Sequence, residues 1–291
     1  MSTQTSHAAG ATETIATAAA RRANRTPAFL RWWANSWHPI VFLAIVVAAW
    51  WISTESGAVA PYILPSPSDT WAAFADNAPY LLDHTWVTTY ETVIGFVIAV
   101  VIGVLVAVVM VYSSGLEKTF YPIILFAQVI PKIAIAPLFI VWLGFGAGPK
   151  ILVAVLMAFF PVVISALSGL RSIDPEILQL TSTMGAGRIK TFLKVRLPAA
   201  LPELLSGLKV AATLAVTGAV VGEFVGANEG LGYVILQANG NLDTAMLFAA
   251  LIIMSLMGVL LFAFIQIAER FLIPWHASRR GSGSASVRAG A

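Results

Sequence analysis

WVTTYETVIGFVIAVVIGVLVAVVMVY, Trp86 to Tyr112, is a run of 27 residues with one carboxylate, Glu91, and no lysine or arginine. As an α-helix it extends about 40 Å, enough to cross a hydrocarbon core of about 30 Å. A lone segment in lipid satisfies all its backbone N–H and C=O groups only as a helix, and the short alternating strands of a barrel are missing from the chain. Gly95, Ala99, Gly103 and Ala107 recur every fourth residue, a ridge of small side chains that lets a second helix approach closely. The stretch reads as a membrane-crossing helix packed against a neighbour.

The rest of the chain agrees. Hydrophobic residues make up 58% of its 291 residues and charged residues only 11%, against about 25% charged in a soluble domain. The absence of cysteine excludes disulfides, thiolate metal sites and cysteine nucleophiles. His7, His38, His84 and His276 are scattered, without the spacing of a ligand pair. The patterning predicts an all-α, polytopic bundle of six spans, near Pro39–Ser53, Trp86–Tyr112, Thr119–Gly144, Pro149–Leu170, Gly207–Val225 and Thr244–Ile273. The third is interrupted by Pro122, Pro131 and Pro137, and a kink is expected at Pro161 in the fourth. Residues 1–37 and 277–291 read as cytoplasmic tails, the first disordered, around a membrane domain of residues 38–276. Ala58-Val59-Ala60 mimics a signal cleavage site, but Pro61 is a poor context and the first span is expected to remain uncleaved.

Charge gives the orientation. With the N-terminus inside, 15 of the 17 lysines and arginines fall on the cytoplasmic side, and the loops Thr54–Thr85 and Gly226–Asp243 carry none. This positive-inside asymmetry predicts a multi-pass protein of the inner membrane with both termini cytoplasmic, and it assigns the pI near 9.3 to residues facing the inner leaflet and a cytoplasmic partner rather than nucleic acid. In the fifth span, Gly207, Ala211, Ala215 and Ala219 form one small-residue stripe and Gly218, Gly222 and Gly226 another. Small residues on two faces imply burial on both, as at the centre of a dimer. In the loop ILPSPSDTWAAF, Ser66 or Ser68 can cap a short helix beginning near Pro67, with Trp71 and Phe74 on its membrane-facing side.

Between the fourth and fifth spans lies a basic insert, residues 171–206. Asp174 is suited to an N-cap, Pro175 to a first helical position and Glu176 to the positive helix end. Gly185 and Gly187 permit a turn. A second short helix then carries Ile189, Phe192, Leu193 and Val195 on one side and Arg188, Lys190, Lys194 and Arg196 on the other, ending at Leu197-Pro198. On physics alone, adhesion to anionic lipid and docking to a protein are equally good readings of such a helix–turn–helix.

Gly185, nine residues, Val195, one residue, Leu197-Pro198 resembles the cytoplasmic "EAA" signature of ABC importer permeases, with Gln179-Leu180-Thr181 in place of Glu-Ala-Ala. ILPSPSDTWAAF, PKIAIAPLFIVWLGFG, GLRSIDPEILQL and GEFVGANEGLGYVI look like the nitrate/sulfonate/taurine-type permeases, over roughly residues 38–276. The stretch from Glu223 to Leu251 looks most like members assigned to thiamine-precursor pyrimidines or related heterocycles. The resemblance implies a type I permease fold whose insert is a coupling helix seated in an ATPase subunit. Gln179, Thr181, Gly185, Arg188, Phe192, Leu193, Leu197 and Pro198 would then make that contact. It also implies a substrate-binding protein outside, a second permease copy, and ATP bound by the partner rather than by this chain.

The chain's own residues agree that it is not the ATPase. Gly144-Phe145-Gly146-Ala147-Gly148-Pro149-Lys150-Ile151 departs from a phosphate loop at Pro149, which lacks an N–H, and at Ile151, which cannot ligate magnesium. No zincin or serine-hydrolase motif is present, and no catalytic, metal or cofactor residue is expected. An ion-coupled secondary transporter would call for inverted repeats, and an intramembrane hydrolase for a catalytic pair; neither is found. Glu91, Gln128, Lys132, Thr213, Thr217, Glu223 and Ser255 lie in or beside spans, where polar groups usually face a cavity or a partner. They are the candidates for the translocation path, and Glu91, Lys132 and Glu223 are also candidates for an internal ion-pair set near the outer face. The scarcity of cationic donors among them favours a neutral heterocycle over a sulfonate or nitrate.

Overall fold

The computed structural model describes residues 28–273, with side chains from Trp37 onward; the expected tails lie mostly outside the described residues. Among these residues every regular element is a helix. Five helices are long and apolar enough to cross a membrane, and a sixth crossing results if one bent pair is counted as a single span. The chain divides into two compact units, Met1–Ala60 and Pro61–Ala291.

The first unit contains α1 (Ala28–Glu55), whose membrane-length part is Trp37–Glu55. It starts inside the segment read from sequence as a tail. Ala28, Leu30 and Arg31 favour helix, and a helical backbone need not stop where the apolar run stops.

The second unit begins with α2 (Pro67–Asp76), started as expected: the Ser66 hydroxyl accepts from the Asp69 N–H at 3.0 Å, with Pro67 in the first turn. After α3 (Ala78–Tyr112), Ser113 turns the chain and caps α4 (Ser114–Val129) by accepting from the Leu116 N–H. A 3-10 turn at Lys132–Ile135 leads into α5 (Ala136–Leu143). The chain bends by 85° between α4 and this second limb. The three prolines act differently. Pro122 is tolerated inside α4, Pro137 sits in the first turn of α5, and Pro131 makes the break by denying helix to Ile130.

α6 (Ala147–Arg171) packs most extensively, lying between α3 and α9 (Leu197–Gly226). The fourth-residue ridges explain this. Gly95 and Gly103 of α3 lie against Ala154 and Val162 of α6. A methyl group on Gly218 would come within 2.7 Å of the Ala154 Cα, and one on Gly222 within 2.7 Å of the Lys150 Cα. On the other stripe, Ala211 and Ala215 are buried with Ala99, Ala158 and Val162. Both small faces of α9 are therefore filled within one protomer, which overturns the sequence inference that they mark a dimer centre. Between α6 and α9 run α7 (Pro175–Thr183), α8 (Arg188–Thr191) and a π turn, Phe192–Arg196. α10 (Leu231–Gly240) and α11 (Thr244–Leu272) complete the unit, with Leu231, Val234, Ala249 and Ala250 forming a core with Leu81 of α3.

Leu197-Pro198 does not end a helix, contrary to the sequence reading; helix runs from Arg188 to Gly226. The Leu197 N–H reaches back five residues to the Phe192 carbonyl. That wider turn shifts the hydrogen-bond register just where Pro198 has no N–H to give.

Candidate functional site

The polar residues gather at the two ends of α6. Its C-terminal end leads into the basic insert. There the Asp174 carboxylate accepts from the Glu176 N–H at 2.9 Å, and α7 runs to Thr183. Gly185, at φ 71°, closes α7: its N–H donates to the Ser182 carbonyl and the Ala186 N–H to that of Thr181, both at 3.1 Å. This is the Schellman termination, in which a left-handed residue satisfies the last carbonyls of a helix. Gly187, at φ −64°, uses none of glycine's freedom.

The insert leaves Ile177, Leu180, Met184, Ile189 and Leu193 exposed, Ile189 at 77%. Gln179, Arg188, Lys190 and Lys194 are exposed beside them, and Thr181, Leu197 and Pro198 are half-buried. Phe192 departs from expectation. Its ring turns inward, 6.2 Å from that of Tyr112, and packs on the core formed by Leu167, Leu170 and Ala200. The π turn displaces it from the face that carries Leu193. Arg196 also turns back, over the Tyr112 ring at 5.5 Å. An ion pair joins Arg171 to Glu117 of α4, and Lys209 meets Glu269 of α11 at 2.5 Å.

At the N-terminal end of α6 lies a buried polar cluster. Lys150 Nζ donates to Glu91 Oε1 at 2.7 Å and to the Glu229 carbonyl at 3.3 Å. Thr88 Oγ1 donates to Glu223 Oε1 at 2.6 Å and accepts from the Leu231 N–H at 2.7 Å. Glu223 Oε2 accepts from the Gly232 N–H at 2.5 Å, and His84 Nδ1 from the Gly230 N–H at 2.8 Å. The N–H groups that open α10, which have no partner within a helix, are thus met by side chains of α3 and α9. Glu91 and Glu223 are 1% exposed and Lys150 6%, so the charges are held away from solvent and stabilised by these partners.

Glu91 and Glu223 are therefore brought together as expected, but the cation between α3 and α6 is Lys150. Lys132 lies elsewhere, bonded to the Gln128 carbonyl at 2.8 Å and placed over the Phe160 ring at 4.7 Å. Proximity in the sequence to a broken helix favoured Lys132; the close approach of Gly222 to the Lys150 backbone decides otherwise. His84, Thr88 and Glu91, spaced four and three apart on one face of α3, were the available signal for the rest of the cluster.

Of the remaining polar candidates, Thr213 and Thr217 lie with Ser206 and Val210 along the one exposed face of α9. Gln128 is exposed at the end of α4, and Ser255 sits among the exposed apolar residues of α11, its hydroxyl donating to the Leu251 carbonyl. Ser255 thus lies on a different helix from the threonine pair, among apolar neighbours.

Comparison with known proteins gives these positions a context. Residues 99–274 match the family described as the binding-protein-dependent transport system inner membrane component. The chain is 37% identical to the formylaminopyrimidine transport permease ThiX of Halalkalibacterium halodurans, covering 81% of this chain and 95% of that protein. It is 31% identical to the putative aliphatic sulfonates transport permease SsuC of Bacillus subtilis, covering 82% and 87%. The fold is similar to that of a chain of the MetNI methionine ABC transporter, solved in inward-facing form, with a TM-score of 0.60, 22% identity, and 66% and 95% covered. Family, relatives and helical architecture agree: this chain belongs to the binding-protein-dependent transport system inner membrane components, as a multi-pass permease subunit of an ABC importer.

Proposed function

We propose that this permease imports a small nitrogen heterocycle of the thiamine-precursor pyrimidine class. The observation that carries the reading is the 37% identity to ThiX over nearly the whole of that protein. The exposed face of α9, with Ser206, Thr213 and Thr217, a carboxylate at Glu203 and no cation, suits a polar solute that is not an anion. A second reading, import of a sulfonate such as taurine, is favoured by the 31% identity to SsuC.

The family implies an ATPase partner and a substrate-binding protein. In our reading two copies of the permease flank the path, with their α9 faces and the Gln128 ends of α4 towards it, and lipid covers the outside. Both termini are cytoplasmic, which puts the insert inside and the Lys150 cluster at the outer mouth. The ATPase binds and hydrolyses ATP, while α7 and α8 dock into it through Leu180, Met184, Ile189 and Leu193 with Gln179 and Arg188 at the edge. Gly185 sets the turn. Because α8 is continuous with α9, a displacement of the docked insert is delivered directly to the helix facing the path, a two-state change biased by nucleotide. The test is uptake of labelled hydroxymethylpyrimidine, riboflavin and taurine by cells with and without this subunit. Uptake of hydroxymethylpyrimidine that depends on the subunit is expected; dependence of taurine alone would replace this reading with the second.

A further inference from the structure

Ala227, Asn228 and Glu229, in the turn between α9 and α10, wall a cavity of about 550 Å³ together with Trp86, Tyr90 and Phe145. Two bonds tie the backbone of this turn to its neighbours. Lys150 Nζ donates to the Glu229 carbonyl at 3.3 Å, and His84 Nδ1 accepts from the Gly230 N–H at 2.8 Å. Gly230 is buried, at φ 109°, and its N–H lies ahead of the first turn of α10, where a helix offers no acceptor. A side chain at this position would run into the Glu223 carboxylate, so glycine alone allows the approach. A backbone N–H only donates. Nδ1 of His84 therefore presents its lone pair, and the ring's own proton sits on Nε2. A second proton has only Nδ1 to go to, and there it would set one N–H against another. Protonation of His84 and closure of the turn exclude each other.

We infer that His84 is a proton-operated latch on the α9–α10 turn: neutral, it holds this wall of the cavity in place, and protonated, it lets the wall go. The ring is half-buried in the second turn of α3, a helix of 35 residues that at about 52 Å outruns a hydrocarbon core of about 30 Å. Tyr80 and Tyr233 flank it, with ring centroids at 4.3 and 5.8 Å. Glu229 of the turn and Asp83 of α3 favour the added charge, and Lys150 of α6 opposes it. Glu223 of α9, packed against Gly230, is engaged by Thr88 and Gly232. The closed turn binds one proton fewer than the open one, so it loses stability as pH falls and keeps it above the histidine range. A free histidine titrates at about 6.5, so opening increases about tenfold one unit below that and hardly at all at about pH 8. The latch does not depend on which solute is imported. In the orientation proposed above, it makes the mouth of the path respond to the pH outside.

The test is amide hydrogen exchange of the assembled transporter in lipid nanodiscs, without solute or ATP, followed over residues 226–234 at about pH 8 and about pH 5.5. His84→Asn keeps an acceptor in place of Nδ1 but does not titrate, and His84→Ala removes the acceptor. Comparing the three proteins at equal pH cancels the intrinsic pH dependence of exchange. The wild-type turn is expected to open about tenfold more at the lower pH. The asparagine turn should stay slow and the alanine turn be fast at both, while peptides from α6 exchange alike in all three. Should asparagine not reach Gly230, its turn joins alanine in being fast and insensitive to pH, which still upholds the latch. A wild-type turn indifferent to pH overturns it, as does an alanine turn as slow as wild type at about pH 8. An undiminished acid response in either variant also overturns it, and assigns the proton to Glu91, Glu223 or Glu229 instead.

Discussion

Lys150 is held between helices by one carboxylate and one backbone carbonyl. Glu91 faces it from α3 and the Glu229 carbonyl from the α9–α10 turn. Removing one member of a buried pair leaves an uncompensated charge, at a cost of about 3–5 kcal/mol, whereas replacing both by neutral groups of similar shape costs much less. Lys150→Met is therefore expected to lower the thermal stability of the detergent-solubilised protein sharply, and Lys150→Met with Glu91→Gln to recover most of the loss. Equal destabilisation by the single and double variants would show that the pair is not what holds these helices. Gly185 has a different vulnerability. At φ 71° a β-branched side chain is strained by roughly 1–3 kcal/mol, while asparagine tolerates the conformation. Gly185→Val should abolish most ATP-coupled uptake without reducing membrane insertion, and Gly185→Asn should keep a substantial part of it. Full uptake by the valine variant would remove the turn from the coupling route.

Within the insert, the sequence makes the caps legible and the facing of the second helix illegible. Asp174 with Pro175, and Gly185, signal where α7 starts and stops because capping is local chemistry. The direction of Phe192 depends on a π turn, which adds a residue to one helical turn and leaves no mark in an apolar pattern read at 3.6 residues. The same blindness assigned the ion pair to Lys132: which cation meets Glu91 is fixed by the close packing of α6 on α9 at Gly222, a tertiary fact. The spans themselves are legible from composition, and so is the family, because its signature lies in the short-range pattern of the insert. The corrected facing changes what mutation should do. Ile189 and Leu193 are exposed, and burying such a side chain contributes about 1.5–3 kcal/mol. Ile189→Asp and Leu193→Asp should each weaken ATPase association roughly tenfold or more, measured by co-purification, with the permease still folded. Phe192→Asp should instead destabilise the permease itself, since it places a carboxylate against Leu170 and Ala200.

Across the whole molecule, the two ends of α6 differ in charge as well as in partners. The insert side carries Arg171, Arg188, Lys190, Lys194, Arg196 and Lys209, whereas the loops Thr54–Thr85 and Gly226–Asp243 contain only acidic charges: Glu55, Asp69, Asp76, Asp83, Glu229 and Asp243. A polytopic chain is held in one orientation by such asymmetry, because lysine and arginine are retained on the cytoplasmic side. The proposed function needs that orientation, since ATP is available inside and a binding protein can deliver only from outside. The cysteine-free sequence makes the matter directly measurable. Ser68, Asn239 and Gln179 are all exposed, so accessibility within the fold does not bias a comparison among them. In intact spheroplasts, cysteine at Ser68 or Asn239 is expected to react with a membrane-impermeant maleimide, and cysteine at Gln179 only after the membrane is opened. The reverse pattern would place the docking insert on the side without ATP, and both the coupling route through α8 into α9 and the outer position of the Lys150 cluster would fall together.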